Sequence, residues 1–346
     1  MTVTRPARLT GAALCAVLAL VSAVWVLKDL AAVGSPADLL WAWAGDYQYV
    51  VRGSAATSLL DPLLLAVSVA AAVAALRSGH AASALAAAGA LTLAVRLPGV
   101  WGGDNAALVT SLLDVALAVG LLVVAAAGRR DPHSPAERVP TRPVPGRAAG
   151  AGVLLLAGAL VVLGWEIYVA TELDLQYTVD RVLGGRTVMA VSLAPPPAWM
   201  SLTLLGLYAT GAFAAFARAG HTRAFGLLGG AVLATYGLLG TAQALRAGTF
   251  VHVWDGGAAL EVLSLLTVVF ELLAGSAVLA LLAGRGTPVT TPARHGSYGS
   301  YGGAPGSYGA PGSYGAPGSY GAPGSYGPPP GSHGPPAPPS SPPPGW

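Results

Sequence analysis

Eight apolar blocks, each reaching or approaching the length of a bilayer crossing, constrain this chain more than any other feature. They fall at about 9–27, 59–76, 80–101, 106–127, 148–168, 198–216, 224–245 and 257–283. About 20 apolar residues in helical conformation span the hydrocarbon core of a membrane. A soluble fold is excluded by composition. Only 10% of residues are charged and 54% are hydrophobic, whereas globular chains carry about 25% charged residues to keep their surfaces in water. The expected fold class is therefore all-α, a polytopic transmembrane helical bundle of about eight spans, with the lipid bilayer as its first partner.

The third block is the weakest, being rich in alanine and carrying Arg96 near its end. The long stem of that arginine is expected to snorkel to the headgroups. Arg5 and Arg8 precede the first block as the basic region of a signal peptide would. The run nevertheless continues to Leu27 without a small-residue cleavage site, and Leu14 occupies the place before Cys15 where a lipoprotein signal has a small residue. An uncleaved first helix is expected. Cys15 is the sole cysteine, so the chain forms no intrachain disulfide and no cysteine-based metal site.

Arginine placement orients the spans. With a cytoplasmic N-terminus, the inner segments hold twelve basic residues and the outer segments six, and the loop 129–147 alone holds five arginines. Both termini are expected on the cytoplasmic side of the cell membrane. Trp25, Trp41, Trp43, Trp101, Trp165, Trp199 and Trp254 then fall at or beyond the outer ends of spans, where an amphipathic indole is favoured.

Landmarks recur in the same order in the two halves. Trp25 matches Trp165, and Asp46-Tyr47-Gln48-Tyr49-Val50-Val51 matches Asp174-Leu175-Gln176-Tyr177-Thr178-Val179. Arg77-Ser78-Gly79-His80 matches Arg218-Ala219-Gly220-His221, Val100-Trp101-Gly102-Gly103 resembles Val253-Trp254-Asp255-Gly256-Gly257, and Ala127-Gly128-Arg129 matches Ala283-Gly284-Arg285. Four spans per half is an even number, so both halves insert with the same orientation, as parallel repeats. The expected organisation is a first four-span repeat over 1–128, an Arg/Pro-rich cytoplasmic linker over 129–147, a second repeat over 148–285, and a tail over 286–346.

In the Arg-x-Gly-His turns, glycine is expected to supply the permissive backbone that ends a helix, while Arg and His suit a helix C-terminus. The other reading of His80 and His221 is a metal or proton role. The D-x-Q-Y-x-V elements lie outside the membrane. Asp46, Gln48, Tyr49, Asp174, Gln176 and Tyr177 are candidate recognition residues, the alternative being an interfacial segment held by its tyrosines.

Five acids fall within the blocks. Asp61, Glu166 and Glu261 lie near outer ends, within expected reach of water or headgroups. Asp114 is deeper, and Glu271 sits near the middle of the eighth block among Val268, Val269, Phe270, Leu272 and Leu273. A charge at that depth costs about 2.5–3.5 kcal/mol on insertion scales. Glu271 is therefore expected to face the bundle interior and to be protonated or paired, with only hydroxyls and amides such as Tyr208, Tyr236, Thr241 and Gln243 at matching depth. Glu271 and Asp114 are the candidate intramembrane proton or ion sites.

No H-E-x-x-H, P-loop, G-x-S-x-G or catalytic carboxylate pair occurs, so no cofactor, metal or reaction is indicated. A net charge of +3 indicates no nucleic-acid partner. The tail repeats Gly306-Ser307-Tyr308-Gly309-Ala310-Pro311 through Tyr314, Tyr320 and Tyr326 and ends in prolines. This composition buries too little apolar surface to order itself, and it offers tyrosines and polyproline to a cytoplasmic protein partner. The expected function is that of a non-enzymatic cell-envelope binding or scaffold component, with a small-molecule or proton-coupled ion transporter as the alternative.

Overall fold

A computed structural model describes residues 2–46, 55–78, 81–102, 105–130, 141–185, 187–188, 191–253, 258–284 and 287–288. Gln48, Tyr49, His80, Trp254 and the tyrosine-repeat tail lie outside these described residues. Helices form over α1 Arg5–Val33, α2 Pro36–Trp43, α3 Leu60–Arg77, α4 Ala82–Arg96, α5 Gly99–Gly102, α6 Asn105–Ala127, α7 Pro145–Glu172, α8 Leu175–Leu183, α9 Pro197–Phe216, α10 Thr222–Arg246, α11 Thr249–His252 and α12 Ala259–Ala283. Eight of them are long and apolar enough to cross a membrane: α1, α3, α4 extended to Trp101, α6, α7, α9, α10 and α12.

The surface explains why these residues must sit in lipid. Leu20, Leu27, Val109, Val123, Leu160, Phe213, Leu266 and Leu273 are more than half exposed. The buried positions are dominated by small residues, including Ala75, Ala88, Ala107, Ala118, Ala151, Ala212 and Ala215. Lipid chains solvate the large side chains, while small ones let helix backbones approach. Helices satisfy all their backbone polar groups internally, which the hydrocarbon requires. The chain is an integral membrane protein.

Prolines open the helices where a missing N–H costs nothing: Pro36 in α2, Pro145 in α7 and Pro197 in α9. Gly34, at φ 79°, closes α1. The turn after α9 departs from expectation. Arg218, not Gly220, takes the left-handed conformation (φ 49°). Ala219 N–H then bonds the Ala214 carbonyl at 3.0 Å and Arg218 N–H bonds that of Ala215 at 3.1 Å, a Schellman closure. Thr222 Oγ1 adds a bond to the Ala214 carbonyl at 2.5 Å.

The ring of helix neighbours runs in the same order in each half. In the first, α1 lies against α3, α3 against α4, α4 against α6 and α6 against α1; in the second, α7 lies against α9, α9 against α10, α10 against α12 and α12 against α7. Short antiparallel pairs clasp the ends, Thr2–Val3 with Arg129–Arg130 and Thr141–Arg142 with Thr287–Pro288. The halves meet through α4, which touches α9 and α10, and an apolar cluster runs across the join from Leu64, Leu91 and Val95 to Leu204, Tyr208 and Leu233.

The helices alternate in direction, so Trp25, Trp101, Trp165 and Trp199 gather at one end of the molecule, hereafter the tryptophan end. Arg8, Arg129, Arg218 and Arg223 gather at the other, where Arg8 donates to the Ala75 and Leu76 carbonyls (2.7 and 2.5 Å) and Arg223 donates to that of Ala283 (2.8 Å). Each guanidinium thereby satisfies open carbonyls at a helix C-terminus.

Candidate site at the tryptophan end

Intramembrane charge in the first bundle is gathered into one buried cluster, a single arginine with two acids. Arg96 is 1% exposed and Asp61 0%. The arginine therefore does not snorkel to the headgroups, and Asp61 is not open to water, contrary to the expectation from their positions near span ends. Arg96 Nη2 pairs with Asp61 Oδ1 from α3, Nε pairs with Asp114 Oδ2 from α6 at 3.0 Å, and Nη1 donates to the Leu193 carbonyl at 2.8 Å. Asp114, a sequence candidate for proton or ion handling, thus holds a guanidinium on one oxygen; its Oδ1 is buried without a partner among the described residues.

The same end of this bundle is plugged. Asp29 accepts from Ala56 N–H (2.9 Å), Thr57 N–H (2.6 Å) and Thr57 Oγ1 (2.5 Å), folding the chain after residue 54 over the bundle mouth. Leu193 reaches in from the second half, bonds the Ala56 carbonyl through its N–H at 3.0 Å, and packs with Trp25 and Ala107.

The second bundle repeats several contacts of the first. Trp25 Nε1 donates to Thr110 Oγ1 at 3.1 Å, and Trp165 Nε1 donates to Thr267 Oγ1 at 3.1 Å. Gly89 abuts Leu121 as Gly230 abuts Val278, and Gly99 abuts Ser111 as Gly240 abuts Val268. Asp114 stands four residues after Thr110, and Glu271 four after Thr267. The place of Arg96 opposite Asp114 is taken by Gly237, where an added Cβ would strike the backbone of Glu271 and Leu272. Glu271 is half-buried and has no basic partner among the described residues. Its electrostatic neighbours are the Tyr208 and Tyr236 hydroxyls.

Among the described residues nothing plugs the mouth of this bundle. A cavity of about 850 Å³ opens at the tryptophan end, lined by Trp41, Asp46, Trp165, Gln243, Arg246, Glu261 and Ser264 among others. Arg246 pairs with Asp46 at 3.3 Å and lies over the Trp41 ring, 4.3 Å from its centroid. Gly240 against Val268 closes the floor. Glu271 lies three residues beyond Val268 on α12, roughly 5 Å deeper at 1.5 Å per residue.

Of the outer-loop candidates, Asp46 is brought into this cavity. Asp174, Gln176 and Tyr177 are placed elsewhere, at the start of the amphipathic helix α8. The Asp174 carboxylate caps that helix by accepting from Tyr177 N–H at 2.7 Å, Gln176 is exposed, and Tyr177 is half-buried. Arg181 on α8 forks onto Glu166 of α7 at 2.8 and 3.2 Å, and Trp101 Nε1 donates to the Leu183 carbonyl at 2.8 Å. Leu175, Val179 and Leu183 stand exposed at helical spacing. His221 precedes α10 with its ring edge-on to Phe225, and among the described residues no three His, Cys, Asp or Glu side chains are placed to hold a metal.

Arg246, Trp41, Gln243, Glu261 and Ser264 were missed as site residues in the sequence. The register of α12, where Glu261, Ser264 and Leu265 precede Val268 and Glu271 on one face, could have found Glu261 and Ser264; Trp41, Gln243 and Arg246 come from other helices and share no local signal with them. No protein-family model, curated protein or solved structure matches this chain.

Proposed function

We propose that the chain is a non-enzymatic membrane protein that acts by binding, and that the cavity at the tryptophan end of the second bundle is its recognition site. The observation that carries this reading is the contrast between the bundles. The place corresponding to the cavity is filled in the first bundle by Leu193, Trp25 and Ala107, and both acids below it, Asp61 and Asp114, are paired with Arg96. In the second it is open, within the roughly 300–1,000 Å³ of ordinary ligand pockets, and lined by aromatic and polar groups. The halves are parallel repeats on this reading, supported by their shared helix order, end clasps and Trp–Thr bonds. Arginine placement puts both termini in the cytoplasm, so the cavity faces away from it. The tail, with its tyrosines and prolines, is the cytoplasmic contact for a protein partner.

A second reading, a proton-coupled transporter, is favoured by one observation: Glu271 lies just beyond the cavity floor, with no cation beside it among the described residues.

Site-directed thiol labelling tests the binding cavity. Cys15 is buried and is the only native cysteine, so Cys15→Ala supplies a clean background. On intact cells, Ser264→Cys is expected to react with a membrane-impermeant maleimide, while Ala107→Cys, its counterpart in the plugged bundle, does not. Both react after denaturation. An unreactive Ser264→Cys, or equal reaction at both positions, removes the cavity as a recognition site.

A further inference from the structure

The polar cavity has an apolar neighbour. A groove of about 290 Å³ runs between α7 and α12, lined by Val161, Gly164, Tyr168, Leu263 and Thr267, and shares Trp165 and Leu260 with the cavity. Trp165 is the partition between them. Its indole N–H is fixed on Thr267 Oγ1, and its ring is edge-on to Tyr168 at 6.0 Å. The groove residues recur three and four apart on both helices, so one face of each helix builds it. Its flanks, Leu163, Ile167 and Leu266, are exposed toward lipid. An added Cβ at Gly164 would meet nothing within 4 Å, so the space beside that residue is open.

A cavity carrying one guanidinium and two carboxylates, adjoining across Trp165 an apolar groove that opens sideways into the membrane, has the chemistry of an amphiphile site. We propose that the ligand of the cavity is a lipid with a zwitterionic head and an aliphatic chain. The head lies at Arg246, Asp46, Glu261 and Gln243, and the chain passes Trp165 into the groove beside Gly164. The anionic part of the head meets Arg246 and the Trp41 face beneath it, and the cationic part meets the carboxylates of Asp46 and Glu261. The chain enters from the bilayer without crossing water, because the groove opens between two membrane-spanning helices.

This proposal rests on the cavity being the recognition site, and its test separates the two. The full chain in lipid nanodiscs is photolabelled with lysophosphatidylcholine bearing a diazirine at mid-chain, and crosslinks are mapped by peptide mass. Saturable labelling of the α7 and α12 groove segments is expected, competed by unlabelled lysophosphatidylcholine and not by free phosphocholine. It is expected to be lost in Gly164→Phe, which fills the groove, with Ser264→Cys labelling unchanged in that background. Non-saturable labelling spread over all the spans overturns the lipid site. So does competition by free phosphocholine alone, or groove labelling that survives Gly164→Phe. If Ser264→Cys is itself unreactive, the failure belongs to the cavity and not to the chain groove.

Discussion

Arg96 shows how little a residue's position along a span says about its charge state. The sequence places it near a helix end, where a flexible stem ordinarily carries the guanidinium to water. Three acceptors from three separate segments, Asp61, Asp114 and the Leu193 carbonyl, hold it inside instead. None of these partners is local to Arg96, so no spacing rule could have assembled them. Removing one member of a buried ion cluster strands the others, at about 3–5 kcal/mol. Arg96→Leu is therefore expected to lower the thermal midpoint of the detergent-solubilised protein sharply and to loosen the 191–196 segment, read as faster hydrogen exchange there. Glu271→Gln breaks no ion pair and is expected to leave that midpoint within a degree or two, the scale of roughly 0.5 kcal/mol for a protein of this size. Equal losses for the two variants would mean that Glu271 has a structural partner comparable to Arg96. Abolition of a proton-linked flux by Glu271→Gln at unchanged stability would instead favour the transport reading.

Among the elements, the eight spans were legible because lipid demands long apolar helices, and the block edges lie within a few residues of the helix ends. The D-x-Q-Y-x-V element was legible as a surface piece, and its second copy forms the helix α8 with Asp174 as cap. What hydropathy does not carry is which helices touch and how closely. That is set by small residues, whose meaning depends on what faces them. Gly237, Gly230 and Gly275 bring α10 and α12 into close contact, whereas Gly164 and Gly206 face open space. Gly237→Ala must push the α12 backbone away, and it is expected to cost about 2 kcal/mol or more, as overpacking does. Gly164→Ala is expected to be neutral or slightly stabilising, since alanine is the better helix former by about 1 kcal/mol. Thermal unfolding monitored by tryptophan fluorescence compares the two. A neutral Gly237→Ala would show that the α10–α12 contact is looser than its geometry implies.

For the whole molecule, a shared pattern of helix neighbours is put to two different uses. One half is closed over an arginine with two acids. The other keeps a comparable acid, has glycine at the place opposite it, and opens a cavity at its mouth. The recurring landmarks were visible in the sequence, but the divergence between the halves was not, because it lies in residues that fail to match. The side of the membrane to which the cavity opens depends on the arginine-rich end being cytoplasmic. The most direct measurement is a compartment-sensitive reporter inserted in turn after Arg138 and after Val188. The account predicts a cytoplasmic signal from the first site and an external one from the second. The opposite pair of signals would turn the cavity toward the cytosol, and the same signal from both would contradict the eight-span crossing itself.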